Sequence, residues 1–154
     1  MKQGKLFCTL AGLLLACSAS LTAQELGYWR ASSTTAQSVT GDVGFSDAKL
    51  LINFTAFPIV KARDLDPGEV SAVFDADSNS TTNKGHLYKV SIPAAKKFLH
   101  KNTLCGTEDV EWMVTYVDGH SLNMAFFSGQ KPPTFTLDAI SNSTSLCGIY
   151  NYSR

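Results

Sequence analysis

The segment EWMVTYVDGHSLNMAFFSG, residues 111–129, decides the fold class. Two runs rich in β-branched and aromatic residues, 110–117 and 120–127, flank Asp118 and Gly119, a pair that two-residue hairpin turns prefer. One predicted face carries Val110, Trp112, Val114, Tyr116, Asn123, Ala125 and Phe127, and the other carries Met113, Val117, Leu122, Met124 and Phe126. Because both faces are largely apolar, we expect the hairpin to be covered on both sides or to line a closed barrel.

The rest of the chain also favours strands. Short β-rich runs separated by turn residues predict strands at 28–32, 38–45, 50–54, 58–62, 70–74, 86–92 and 146–152. A single helix is expected near 92–101, with Ser91 as its cap and Pro93 in its first turn. The fold class is therefore all-β, or β-rich α+β. It is a single small antiparallel barrel or strongly curved sheet of about nine strands and one short helix.

The first 23 residues have the layout of a secretory signal peptide, with Lys2 and Lys5 before an apolar run and small residues after it. Cleavage after Ala23 would release one β-rich domain, 24–154, as a secreted or periplasmic protein. In the alternative, LLAC resembles a bacterial lipobox and Cys17 becomes the lipid anchor of a membrane-bound lipoprotein. No later segment reaches the ~20 apolar residues of a transmembrane helix.

The charge balance argues against nucleic acid as a partner. Loss of Lys2 and Lys5 with the signal segment leaves 11 of the 13 basic residues against 13 acidic ones, a formal charge of −2. Proteins that bind nucleic acid normally show an excess of Lys and Arg.

Two cysteines remain in the predicted mature domain, Cys105 in TLCG and Cys147 in SLCG. An even pair in an oxidising compartment predicts a disulfide. The bond would tie the last predicted strand to the middle of the chain.

Motifs that carry chemistry are incomplete. DADSNSTTNKGH, residues 75–86, starts like an EF-hand loop, but Ser80 and His86 replace the required Gly and Glu, so no metal is expected. The chain has no G-x-S-x-G, P-loop or G-x-G-x-x-G string, which predicts no cofactor and no catalytic set. A hydrolase would have to use scattered residues such as His86, His120, Asp75 or Asp118.

The stretch LGYW, with Gly27 and Trp29, resembles the G-x-W that opens the first strand of calycins, the superfamily of lipocalins, avidins and some small bacterial inhibitors. The resemblance covers three residues. It implies that Trp29 plugs one end of a barrel, and that the protein binds a ligand or inhibits an enzyme.

Three classes of function follow from these patterns. The first is a binding protein with a partly open apolar interior, in which a small apolar ligand contacts Trp29, Trp112, Met113, Met124 and Phe126. The second is an enzyme inhibitor or envelope interaction protein that presents a surface loop, such as 128–145, to a protein partner. The third, placed last, is a hydrolase without a recognisable motif.

Overall fold

A computed structural model describes residues 24–77 and 84–154 and shows a closed antiparallel barrel. Each strand pairs with its neighbour in the chain, and the last strand pairs with the first. The strands are β1 (Gly27–Ala31), β2 (Val43–Ser46), β3 (Lys49–Ile52), β4 (Thr55–Leu65), β5 (Gly85–Ile92), β6 (Val110–Asp118), β7 (Ser121–Ser128) and β8 (Leu146–Ser153). The predicted barrel is confirmed, with eight strands in place of about nine.

Two predicted features lie outside the described residues. These are the signal segment 1–23, including Cys17, and the centre of the EF-hand-like loop, 78–83. Within 24–77 and 84–154, no helix has the length and apolar character needed to cross a membrane.

Within the described residues, three short α-helices interrupt the barrel: α1 (Thr34–Val39), α2 (Pro67–Phe74) and α3 (Leu137–Ser141). The predicted strand 70–74 is wrong because Pro67 sits in a first helical turn and Glu69 accepts a hydrogen bond from the Asp66 N–H at 3.0 Å. The predicted strand 38–45 likewise begins inside α1. Ser33 caps that helix by accepting from the Ala36 N–H at 3.2 Å.

The helix predicted at 92–101 is also wrong. β5 continues to Ile92, and only Leu99–Lys101 forms a short 3₁₀ turn. His100 and Lys101 have φ values of 53° and 62°, which a right-handed helix excludes. The segment instead folds over one end of the barrel, where Phe98 is buried and the predicted bond between Cys105 and Cys147 ties it to β8.

The β6–β7 hairpin is confirmed, with a different register. Asp118 pairs with Ser121, so the turn residues are Gly119 and His120 instead of Asp118 and Gly119. Each residue of β6 pairs with a β7 residue two positions further along the chain than predicted. The predicted faces are unchanged, because side chains alternate between the two faces with period two. Val110 is the exception, since a bulge between Val110 and Trp112 turns it towards the interior.

Two apolar clusters cover the two faces of this hairpin. The interior cluster fills the barrel and includes Trp29, Leu50, Ile52, Met113, Leu122, Met124, Phe126, Tyr150 and Tyr152. The outer cluster lies beneath α2 and the segment before α3 and includes Val70, Val73, Trp112, Val114, Tyr116, Phe127 and Phe135. The wall formed by β5–β7 is therefore packed on both sides.

The wall formed by β1–β4 is different, because its outer face carries exposed apolar side chains. Tyr28 pairs with Gly44, Gly44 with Leu51 and Leu51 with Ala56, which makes one row across four strands. Tyr28 and, in the β3–β4 turn, Phe54 are exposed to solvent. This half of the barrel presents an apolar outer surface.

Candidate functional site

Four of the five predicted ligand-binding residues lie together inside the barrel. Trp29, Met113, Met124 and Phe126 each have 0% of their surface exposed. The fifth, Trp112, is not in the interior as predicted, because it follows the opposite face of β6 and belongs to the outer cluster. Its indole Nε1 donates to the carbonyl oxygen of Gly129 at 3.1 Å. The structure therefore separates Trp112 from the other four.

The interior around these four side chains is filled. A space large enough for water would leave accessible surface on the residues around it, and these residues have none. Phe126 packs edge-on against Tyr150 with ring centroids 5.4 Å apart. The partly open interior expected from the hairpin is wrong for this region. Ligand binding by the interior residues stays a prediction.

Trp29 is enclosed where the chain enters the barrel. Its indole Nε1 donates to the carbonyl oxygen of Glu25 at 2.7 Å, and the guanidinium carbon of Arg154 lies 4.1 Å from the ring centroid. Arg154 also donates from Nη1 to the carbonyl oxygen of Leu26 at 2.9 Å. A cation–π contact and a hydrogen bond thus hold the entering segment to Arg154, while the bond from Trp29 to Glu25 lies within that segment.

A polar cluster is buried beside this entrance. The Glu25 Oε1 atom lies 2.6 Å from His86 Nδ1 and 2.6 Å from Thr115 Oγ1. Burial raises the pKa of Glu25, but the hydrogen bonds from His86 and Thr115 outweigh burial and leave the pKa below its ordinary value. Glu25 is therefore ionised at neutral pH and only accepts, so the proton on this side of the imidazole belongs to Nδ1.

The cluster extends to the surface through Asp64. His86 Nε2 lies 3.7 Å from the Asp64 carboxylate, which also pairs with Lys61 at 2.6 Å and Lys84 at 3.4 Å. Burial, followed by the negative charge of Glu25, raises the pKa of Tyr88. His86 thus hydrogen-bonds Glu25 on one side and lies near Asp64 on the other, and the Glu25 bond holds the entering segment against β5.

The scattered residues proposed for a hydrolase occupy separate places. Asp118 and His120 lie together at the β6–β7 turn, Asp75 is the C-cap of α2, and His86 lies in the buried cluster with Glu25, so the set is not gathered in one site. Among the described residues, no group of three or more His, Cys, Asp or Glu side chains could hold a metal ion.

A concavity on the outer face of the β1–β4 wall is the clearest candidate site. It has a volume of about 400 Å³ and is called here the Tyr28–Phe54 groove. Its lining residues are Tyr28, Thr40, Gly41, Asp42, Gly44, Leu51, Asn53, Phe54 and Leu99. The two aromatic side chains that border it are 78% and 101% exposed, so neither ring is used to stabilise the core.

Two glycines line this groove. An added Cβ on Gly44 would lie 3.5 Å from the Tyr28 ring, which is an ordinary van der Waals contact. Gly41 has a φ of 62°, and an added Cβ there would lie 3.0 Å from Leu99 Cδ1. Gly41 therefore permits the close approach of Leu99, whereas the space at Gly44 does not require glycine.

The groove is bordered by unusual backbone. Asn53 and Phe54 have φ values of 45° and 62° in the two-residue turn between β3 and β4. Such a turn needs positive φ at both positions, and its second position favours Gly over a bulky residue. Leu99, which lines the groove, is followed by His100 and Lys101, which also have positive φ.

Polar side chains also line the groove. Asp42 Oδ1 accepts from the Ala31 N–H at 2.9 Å, which fixes an otherwise exposed carboxylate at the groove. Asn53 adds an exposed amide at the end of β3. Thr40 is already engaged, with its hydroxyl 2.7 Å from Tyr152 Oη. A ligand in the groove would meet two aromatic faces, one carboxylate and one amide.

Comparisons with known proteins identify no relative. No family model, no curated protein and no solved structure matches the chain. The resemblance to calycins therefore stays a prediction.

Sequence reasoning missed both Glu25 and the groove. The sequence pattern places Tyr28 and Phe54 in the predicted strands 28–32 and 50–54, as ordinary strand residues. The Asn at position 53, between two apolar runs, was the available signal for a tight turn that displays the next residue. Glu25 gave no comparable signal, because nothing in its neighbours indicates burial.

Proposed function

We propose that this chain is a non-enzymatic binding protein whose ligand site is the Tyr28–Phe54 groove, outside the barrel. The observation that carries the proposal is the pair of solvent-exposed aromatic side chains at one concavity. Ligand sites are concave, largely apolar and supplied with a few placed polar groups. The region around Met113, Met124 and Phe126 is filled, which favours a ligand site on this surface over one in the interior.

The backbone around the groove supports the same proposal. A non-glycine residue in the left-handed region costs about 1–2 kcal/mol, and strain of this kind clusters at functional sites. Phe54 bears this cost without burying its side chain. The exposed Phe54 ring does not stabilise the fold, so contact with a ligand would account for keeping a bulky residue at this strained position.

The engagement of the buried polar groups supports a non-enzymatic role. Glu25, His86 and Thr115 bond to one another, and Asp64 is paired with Lys61 and Lys84. A general base must be within reach of a substrate proton, whereas these groups hold together the entering segment and the strands. We also propose that the protein is exported, secreted or periplasmic, with a lipid anchor at Cys17 as the alternative.

A fragment screen by NMR tests the groove. We expect cocktails of small aromatic and polar fragments to shift the amide resonances of Tyr28, Gly44, Leu51 and Asn53, because these residues line the concavity. The variant Tyr28→Ala/Phe54→Gly should lose those shifts. The matched control is Leu137→Ala, since Leu137 is also an exposed apolar residue, on α3.

The interior has its own reporters. Met113 and Met124 are the only methionines outside the signal segment, and both lie within the barrel. Their ¹³C-labelled methyl groups should not respond to the fragments or to an apolar dye. If the methyl groups shift while the groove amides do not, the ligand site lies in the interior and the proposal is wrong.

A further inference from the structure

We propose that the Tyr28–Phe54 groove binds a neutral saccharide chain. This inference rests on the proposed function, because it names the ligand class of the same groove. The groove combines two exposed aromatic rings with a carboxylate and an amide in one lining. Sugar rings have apolar C–H faces that lie on aromatic side chains and hydroxyl groups that both donate and accept hydrogen bonds.

The carboxylate decides against a purely apolar ligand. Asp42 is exposed, and Oδ1 receives only the Ala31 N–H among the hydrogen bonds of the described residues. An apolar ligand that covered Asp42 would remove water from a charged group and return no hydrogen bond, which is costly. A hydroxyl group of a sugar can donate to Asp42 and replace the lost water.

The same carboxylate disfavours two other ligand classes. Proline-rich peptides also dock on aromatic-lined grooves, but proline has no N–H to donate to Asp42. Among the described residues that line the groove, Asp42 carries the only charge, so a negative group bound in the groove itself would meet repulsion, although Arg30 and Arg154 line the concavity beside it. A neutral ligand rich in hydroxyl groups avoids both difficulties.

The shape favours a chain over a single sugar. A second concavity of about 340 Å³ adjoins the groove and shares Tyr28 and Asp42 with it. It adds Arg30 and Arg154, whose guanidinium groups donate hydrogen bonds. A linear ligand that crosses the exposed Tyr28 ring would contact both concavities.

Titration with neutral oligosaccharides of the cello-, xylo-, chito-, manno- and malto- series tests the inference. We expect at least one series to shift the amide resonances of Tyr28, Gly44, Leu51 and Asn53. Because aromatic anchors dominate binding energy, Tyr28→Ala and Phe54→Gly should each weaken that binding by about tenfold or more. An oligogalacturonate and a proline-rich peptide serve as the charged and peptide comparisons and should bind more weakly.

Matched controls separate contact from backbone effects. Asp75→Gly also introduces glycine at a left-handed position, the C-cap of α2, and Leu137→Ala removes another exposed apolar side chain. Both controls should bind the oligosaccharide as the wild type does. Equal binding by Tyr28→Ala and Phe54→Gly would overturn the inference.

The two proposals fail in different ways. If fragments shift the groove amides but none of the five oligosaccharide series does, the saccharide inference is wrong and the groove remains a ligand site. If the peptide binds more tightly than every oligosaccharide, the ligand class is a peptide. If neither fragments nor oligosaccharides shift the amide resonances of the groove residues, both proposals are wrong.

Discussion

The Glu25 carboxylate lies 2.6 Å from Nδ1 of His86, in a region where both side chains are buried. The pair joins the segment that enters the barrel to β5, and Thr115 joins the same carboxylate to β6. A residue that precedes the first strand is thereby held by the fifth and sixth strands.

Glu25→Gln should lower the free energy of unfolding by about 2–3 kcal/mol, because it removes the charge that two buried hydrogen bonds stabilise. Urea denaturation followed by tryptophan fluorescence measures the change. Glu108→Gln, at an exposed acid, is the control and should leave the midpoint unchanged. An unchanged midpoint for Glu25→Gln would show that the pair contributes nothing net.

The cost of Glu25→Gln should depend on pH. The folded-state pKa of Glu25 is lowered, so its stabilising contribution is fully present above the unfolded value of about 4.3 and is lost as pH falls through the folded pKa. We expect the wild-type and Glu25→Gln unfolding free energies to converge on acidification below that value. The measurement is a series of urea titrations between neutral and acidic pH. A difference that grows as the pH falls below that value would contradict the assigned sign.

Phe54→Gly should raise the free energy of unfolding by about 0.5–1 kcal/mol. Glycine relieves the left-handed strain, the exposed ring gives up no buried contact, and the greater freedom of the unfolded chain offsets part of the gain. Phe57 lies three residues later, in the interior cluster, and Phe57→Ala should lower the free energy of unfolding by about 3–5 kcal/mol. Thermal and urea unfolding measure both variants. A large loss for Phe54→Gly would mean that the ring is packed in solution.

Replacing both Cys105 and Cys147 with Ser should cost about 4 kcal/mol by the chain-entropy estimate, because the bond closes a loop of 42 residues. Unfolding with and without reductant measures the effect. Thiol labelling of the denatured, unreduced protein provides the direct check and should find neither thiol. Two reactive thiols would show that the bond does not form.

Mass spectrometry of the protein recovered from an exporting bacterial host should give a chain that begins at Gln24, as the sequence predicts. Cys17→Ser should leave that mass unchanged. A lipid adduct on Cys17, lost in Cys17→Ser, would instead establish the lipoprotein alternative.

Much of the barrel could be predicted from local patterns. The β6–β7 faces follow from alternation alone, and Cys105 and Cys147 were the only pair left to join. The errors arose where one string satisfies two rules. The string Asp66-Pro67-Gly68-Glu69 has the composition of a turn, yet the same residues can begin a helix. The helix forms because it buries Val70 and Val73 in the outer cluster.

The candidate site was less accessible to prediction. The groove depends on Tyr28, Gly44 and Leu51 meeting in one cross-strand row, and that row comes from the register of three strands. The shift of the β6–β7 turn by one residue shows how uncertain a register is from sequence. The burial of Glu25 depends on His86 and Thr115, which are distant in the chain.

The closure between β1 and β8 has a consequence for motion. It contains two residue pairs, Arg30 with Ser153 and Ala31 with Tyr152, whereas β6 and β7 share eight. Beyond this ladder, the Ser32 and Ser33 N–H groups donate to the carbonyl oxygen of Asn151. Side chains add the Thr40 to Tyr152 hydrogen bond and the Arg154 contact with Trp29. Backbone amides at this seam should therefore exchange with solvent earlier than those of β6 and β7, by local opening that leaves the rest of the barrel intact. Tyr28 lies on the strand that would move, so breathing of the seam would change the width of the groove beside it.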